Sequence, residues 1–251
     1  MQEDNTFNPS GLAELQKVPA GPELLGRGGE RTMHTVILAC SSLTDYVRDA
    51  QEKQKTSYPV LIADRKYHAE PEKMKKVLAE TLARLPEETD TVLVAMGFCG
   101  GSWDSVQVDR KVVIPRVDDC ISLLLHTDDV YCPNRKETGH LYMMEKDPGD
   151  FSLEKMFGNI SIDYPGWDRD SLFHMWFDNY RYLDIIDTGL YDCYTEEYAE
   201  EAQKNADLFH GTLDYVRGSN RLLEKLVSGR WDEQFLVAQP GQVIRHRDFF
   251  G

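Results

Sequence analysis

Three cysteines stand where chemistry is plausible. Cys40 follows the apolar run Thr35-Val36-Ile37-Leu38-Ala39. Cys99 lies in Gly97-Phe98-Cys99-Gly100-Gly101-Ser102, after a second run over residues 91–96. Cys120 closes Arg116-Val117-Asp118-Asp119-Cys120, after a third run over residues 111–115. A thiolate is a strong, soft metal ligand, and a helix amino terminus lowers a thiol's pKa. Three thiolates suit zinc, iron or an iron–sulfur cluster, and they leave one coordination position open, as catalytic metal sites do. The plainer account, buried apolar cysteines at strand ends, serves for any one of them. It is less economical for three at equivalent positions. No CxxC pair is present, so the signal lies in topology and not in spacing.

The elements that must position these thiols are strands and helices in alternation. Residues 35–39, 59–64, 91–96 and 111–115 read as short, nearly all-apolar buried strands. Residues 44–53 and 71–85 read as helices, the second opened by Pro71 and striped with Met74, Val77, Leu78, Leu82 and Leu85. A further helix begins at Cys120. This pattern predicts an α/β fold, a mostly parallel sheet with helices on both faces in a Rossmann-like three-layer arrangement. Ligands of such sheets bind at the carboxyl ends of the strands, where Cys40, Cys99 and Cys120 all fall. Downstream, residues 183–189 read as a strand and turn, 196–210 and 220–227 as helices, and 235–244, around Pro240-Gly241, as a hairpin. Residues 1–32, rich in Pro and Gly, read as a flexible N-terminal arm, and 33–251 as a single α/β domain.

Composition bounds the function. The chain has 251 residues and a formal net charge of -15, which argues against a nucleic-acid partner and against docking on anionic lipid. No stretch is long and apolar enough to span a bilayer, and the first residues do not read as a secretion signal, so the expected location is cytoplasmic. Five cysteines in such a chain do not suggest a disulfide framework. Cys132 and Cys193 follow no apolar strand and are incidental, unless one of them supplies a fourth ligand.

Other groups share the same sheet edge. Arg116 is expected to clamp an anionic substrate, or else to pair with Asp118 or Asp119. Gly100, Gly101 and Ser41 are the other expected substrate contacts. Asp119 either caps the helix that starts at Cys120 or acts as general base, and His68 either shuttles protons or sits on the surface. His126 should turn away from Cys120. The aromatic group around His174 suits a core or an interface, and Asp187 suits a turn.

Leu38-Ala39-Cys40, Gly97-Phe98-Cys99-Gly100-Gly101 and Ile114-Pro115-Arg116-Val117-Asp118-Asp119-Cys120-Ile121 resemble a bacterial and archaeal family, domain of unknown function 1638. The resemblance spans roughly residues 34 to 245. The family's pattern is Pro-Arg-x-His-Asp-Cys, and this chain has Asp118 where histidine is expected. Members sit near corrinoid-dependent methyltransferase genes of anaerobes. The resemblance therefore implies one-carbon, methyl or sulfur metabolism, with a corrinoid methyltransferase as a partner.

Together these readings predict a metal-dependent enzyme of the lyase or transferase kind. Cys40, Cys99 and Cys120 would bind a four-iron four-sulfur (4Fe–4S) cluster, with a zinc or iron ion as second choice. The substrate would be a small anionic, thiol or methylated compound. Two other classes stay open: a non-catalytic accessory of a methyltransferase, and a thiol-redox protein. A homo-oligomer is compatible with either.

Overall fold

Residues 34–162 and 164–251 are described by the structure, a computed structural model; the arm expected over residues 1–32 lies outside them. The first part of the chain runs β1 (His34–Cys40), α1 (Thr44–Gln54), β2 (Val60–Ala63), α2 (Pro71–Ala83), β3 (Thr89–Ala95), β4 (Lys111–Pro115) and α3 (Cys120–Leu124). The second runs β5 (His140–Met143), α4 (Leu153–Ile162), α5 (Arg169–Phe177), β6 (Tyr182–Asp187), α6 (Glu196–Leu208) and β7 (Thr212–Arg217). The chain then returns through α7 (Arg221–Ser228), β8 (Phe235–Ala238) and α8 (His246–Phe250).

The continuous apolar runs become β1, β3 and β4, the inner strands, and β2, an edge strand, of a five-stranded sheet in the order β2-β1-β3-β4-β8, parallel except for β8. Ile37, Leu38, Ala39 and Cys40 are all buried, because β1 is central and covered on both sides. Cys40 lies opposite Ala63 of β2, and Ala39 opposite Ala95 of β3. Right beside β1, then, the chain leaves β2 and β3 from the same edge of the sheet. Pro71 starts α2, whose Met74, Leu78 and Leu82 are buried on one stripe.

A second sheet, β5-β6-β7, is all parallel. Its strands alternate. Leu141, Met143, Leu183, Ile185, Leu213 and Tyr215 face a core shared with α4, α5 and α6. The residues between them, Tyr142, Ile186 and Val216, face the core of the first sheet. The two sheets thus meet across one face of the smaller one. Tyr46 of α1 fastens the junction by donating to the Met144 carbonyl (2.7 Å), and Tyr198 of α6 donates to the Glu145 carbonyl (2.7 Å). The whole is a three-layer α/β fold with mostly parallel sheets.

The C-terminal hairpin expected over 235–244 takes another form. Its first arm is β8, which pairs antiparallel with β4, and Val243 makes a single bridge to Gln107. β8 therefore takes the edge of the first sheet, and the residues after Pro240-Gly241 bond to residues 105–108. Among the described residues no helix is long and apolar enough to cross a membrane.

Candidate metal centre

Strand order decides what meets. Cys40 is the last residue of β1 and wholly buried. After β2 the chain makes a short 3-10 turn, Arg65–Ala69, capped by Asp64 through the Lys66 amide. That turn brings His68 over the end of β1, with Nε2 3.3 Å from Cys40 Sγ. Cys120 opens α3, whose N-cap is Asp119, its Oδ1 accepting from the Ser122 amide (2.8 Å). The donor atoms of Cys40, His68 and Cys120 all lie within 4.8 Å of one another, forming a group able to hold a metal ion. The two thiols are buried, while His68 is exposed.

Cys99 stands beside Cys120, close enough to oppose its ionisation, yet outside that mutually close group. Its loop is pinned to the one carrying Cys120. Phe98 donates to the Val117 carbonyl (2.9 Å) and Cys99 to the Asp118 carbonyl (2.7 Å). Gly97 makes the approach possible: a Cβ there would sit 2.7 Å from the Asp119 backbone. Cys99, Gly100 and Gly101 then turn through three successive positive φ angles, 47°, 66° and 98°. Only glycine takes such values freely, so the Gly-Gly pair serves the turn, with Gly100 against Pro71 at the start of α2.

Burial and mutual contact set the charge state of the thiols. A hydrogen bond donated to Cys120 and loss of water push the Cys40 thiol far above its ordinary range, with His68 pulling the other way. Cys120 is eased by Cys40, but Cys99 and burial outweigh this and raise it as well. The bond to Cys40 raises the His68 imidazole. With no cation present both thiols hold their protons at neutral pH, and a bound metal would displace them.

The remaining expected residues land as follows. Arg116 turns from the thiols: Nε donates to the Asp248 carbonyl (2.9 Å) and Nη1 to the Glu233 carbonyl (3.1 Å), with the guanidinium over Tyr131. Lys136 takes the acidic pair that Arg116 was expected to meet, bonding Asp118 (3.0 Å) and Asp119. Burial pulls the Lys136 amine down, but the two carboxylates outweigh it and raise its pKa. Asp118 therefore faces Lys136 and is not one of the close donor group. Ser41 accepts from the Arg65 amide (2.9 Å), and Ser42 lies 3.0 Å from Cys40 Sγ. Both serines line an open cleft of about 410 Å3 between the two sheets, together with Tyr46, Arg65, Glu145 and Lys146.

His126 is buried and bonded to the Ser122 carbonyl. Asp187 accepts from the Gly189 amide and from Tyr194, forming a turn. The Cys132 thiol donates to the Asn134 carbonyl and Cys193 lies in the second core, so neither joins the close group. In the aromatic segment, Leu172 and Phe177 are buried, while Met175 and Trp176 are exposed. Sequence pattern does not single out Lys136, which lies in a polar stretch with no periodicity. Nor does it single out His140, paired with the buried Asp184 at 2.7 Å, because both sit in strands of the second sheet.

A family model described as "Protein of unknown function (DUF1638)" matches residues 62–227. His68, Cys99 and Cys120 fall inside the match, and Cys40 precedes it. No curated protein and no solved structure matches the chain.

Proposed function

We propose that this chain, which belongs to the DUF1638 family of proteins of unknown function, holds a single zinc or ferrous ion on Cys40, His68 and Cys120 and acts on a small molecule at the ion's fourth position. The observation that carries this is the mutual 4.8 Å limit on the three donor atoms. Bonds of ~2.0–2.3 Å to a tetrahedral ion set its nitrogen and sulfur donors roughly 3.5–3.8 Å apart, a spacing reached by small side-chain adjustments. A four-iron cluster is bulkier; its thiolates, each on a different iron, stand about 6 Å apart, so it fits this group less well.

Charge supports the same reading. Two thiolates and a neutral imidazole balance a divalent ion without a net buried charge. Because His68 is an exposed residue, the fourth position would open towards solvent. There the metal would supply Lewis acidity, lowering the pKa of a bound water or thiol. The thiol-redox reading is weaker, because contact with neighbouring thiols and burial hold both Cys40 and Cys120 in the unreactive protonated form.

The test is metal analysis of protein purified without oxygen, comparing wild type with Cys120→Ala and His68→Ala. About one zinc or iron per chain, lost in Cys120→Ala and reduced in His68→Ala, is expected. Iron and sulfide in equal, multiple amounts would favour the cluster, and metal-free wild type would contradict both.

A further inference from the structure

We propose that the cleft between the two sheets is the substrate pocket of this centre, and that it takes a small carboxylic acid carrying a thiol, with the carboxylate on Arg65 and Lys146 and the sulfur on the ion. The proposal rests on the metal reading above and adds to it the class of molecule that takes the fourth position.

Topology places the cleft. Parallel sheets bind ligands at the carboxyl ends of their strands. Here strands of both sheets end on one space of about 410 Å3, a volume that suits a small molecule. Ser41 and Ser42 directly follow β1, Arg65 follows β2, residues 144–146 follow β5 and Leu190 follows β6. The cleft also adjoins the metal group. Ser42 Oγ lies 3.0 Å from Cys40 Sγ, and Arg65 opens the turn that carries His68.

Charge selects the ligand. Three carboxylates line the cleft, and two are already matched. Asp45 bonds Arg48 (2.6 Å), and Glu145 accepts from Arg65 Nη1 and from the Met144 amide (2.9 Å each). Only the exposed Asp150 is left over. Against it stands Lys146, whose amine has no hydrogen-bond or ion-pair partner among the described residues. The Nε–Nη2 edge of Arg65 is likewise unbonded among the described residues. That edge presents two parallel N–H groups, the shape that a carboxylate matches. Arg116, by contrast, is spent on backbone carbonyls.

Both cations stand on fixed backbone. The Arg65 amide donates to Ser41 Oγ (2.9 Å), and Tyr46 and Tyr198 hold the Met144 and Glu145 carbonyls just before Lys146 (2.7 Å each). A site held in place before the ligand arrives loses less on binding. The sulfur end follows from the metal, because an ion on two thiolates accepts a further soft donor. A thiol bound there gives its proton to solvent as its sulfur displaces water.

The experiment loads the protein with cobalt(II), whose thiolate charge-transfer absorption rises when a further sulfur binds. Wild type, Lys146→Met and Arg65→Lys are titrated with β-mercaptopropionate and with its neutral methyl ester. Lys146 is exposed, and lysine at position 65 keeps a cation opposite Glu145 while losing the planar fork, so both variants keep the fold. Wild type should prefer the acid to the ester by roughly tenfold or more. Each variant should lose most of that preference, with the ester bound alike by all three proteins. Equal affinity for acid and ester in wild type, or a preference unchanged in both variants, would overturn the proposal. Cobalt taken up with no response to either thiol would overturn it too and leave metal binding standing. Wild type that takes up no cobalt would bring down the metal reading itself, and the proposal with it.

Discussion

Cys40 Sγ and His68 Nε2 lie 3.3 Å apart although 28 positions separate them in the chain. The contact exists because β1 and β2 are hydrogen-bonded neighbours, with Cys40 opposite Ala63, and because the Arg65–Ala69 turn folds back over that edge. His68→Ala removes the side chain of an exposed residue that reaches the core through its contact with Cys40 Sγ. Its effect on the stability of the metal-free protein should be small, within ~0.5 kcal/mol. Its metal affinity should fall by more than the ~10–100-fold that loss of a ligand's outer partner costs. Isothermal titration with zinc measures this; an unchanged affinity would remove His68 from the centre.

Gly97 packs directly against the Asp119 backbone of the loop that carries Cys120. Gly97→Ala places a methyl 2.7 Å from the Asp119 backbone, which cannot yield without moving the cap of α3. The expected loss is about 1–3 kcal/mol in urea unfolding, accompanied by weakened metal binding. A variant as stable as wild type would show that the loops are not held together there.

Arg116 and Lys136 separate structure from chemistry. Arg116→Ala frees the carbonyls of Asp248 and Glu233 and should lower stability by roughly 1–2 kcal/mol while leaving metal content unchanged. Lys136→Met leaves Asp118 and Asp119 facing each other unneutralised beside Cys120, so it should cost stability and also weaken metal binding. Metal content that falls in Arg116→Ala would return that residue to the site.

Elements whose environment is uniform along their length are legible in the sequence; those that depend on distant partners are not. β1, β3 and β4 are nearly continuous apolar runs, and such runs have few alternatives to a buried parallel strand. Their pattern alone places Cys40, Cys99 and Cys120 at one edge of the sheet. Strand order is not legible, and it decides that His68 on β2's turn joins Cys40 and Cys120 in the close donor group while Cys99 does not. β5 and β7 escape recognition because His140, Asp214 and Arg217 interrupt them; they alternate between two cores, so neither face looks fully buried. Arg116 resembles an anion clamp because its partner, the Asp248 carbonyl, lies 132 positions away. Backbone partners at that distance leave no trace in side-chain pattern.

The buried tyrosines give a pH dependence with a definite sign. Burial pushes the Tyr46 hydroxyl up to about 12 from 10.0, and raises Tyr191 and Tyr198 further. A group whose pKa is raised by folding stabilises fully below its unfolded pKa, and that contribution is lost as pH rises towards the folded value. Buried Cys40 acts in the same direction. The metal-free protein should therefore lose urea resistance from about pH 10 to about pH 12, with tyrosinate absorption from these three rings appearing only on unfolding. Three rings that ionise freely in the folded protein would contradict their placement at the junction of the sheets.

The proposed metal ligands are read most directly by X-ray absorption at the metal edge of anaerobically purified wild type. A single ion on Cys40, His68 and Cys120 predicts two sulfur scatterers near ~2.3 Å, one imidazole nitrogen near ~2.0–2.1 Å and one further light-atom ligand. Three or four sulfurs with a metal–metal distance, or no imidazole scattering, would contradict it.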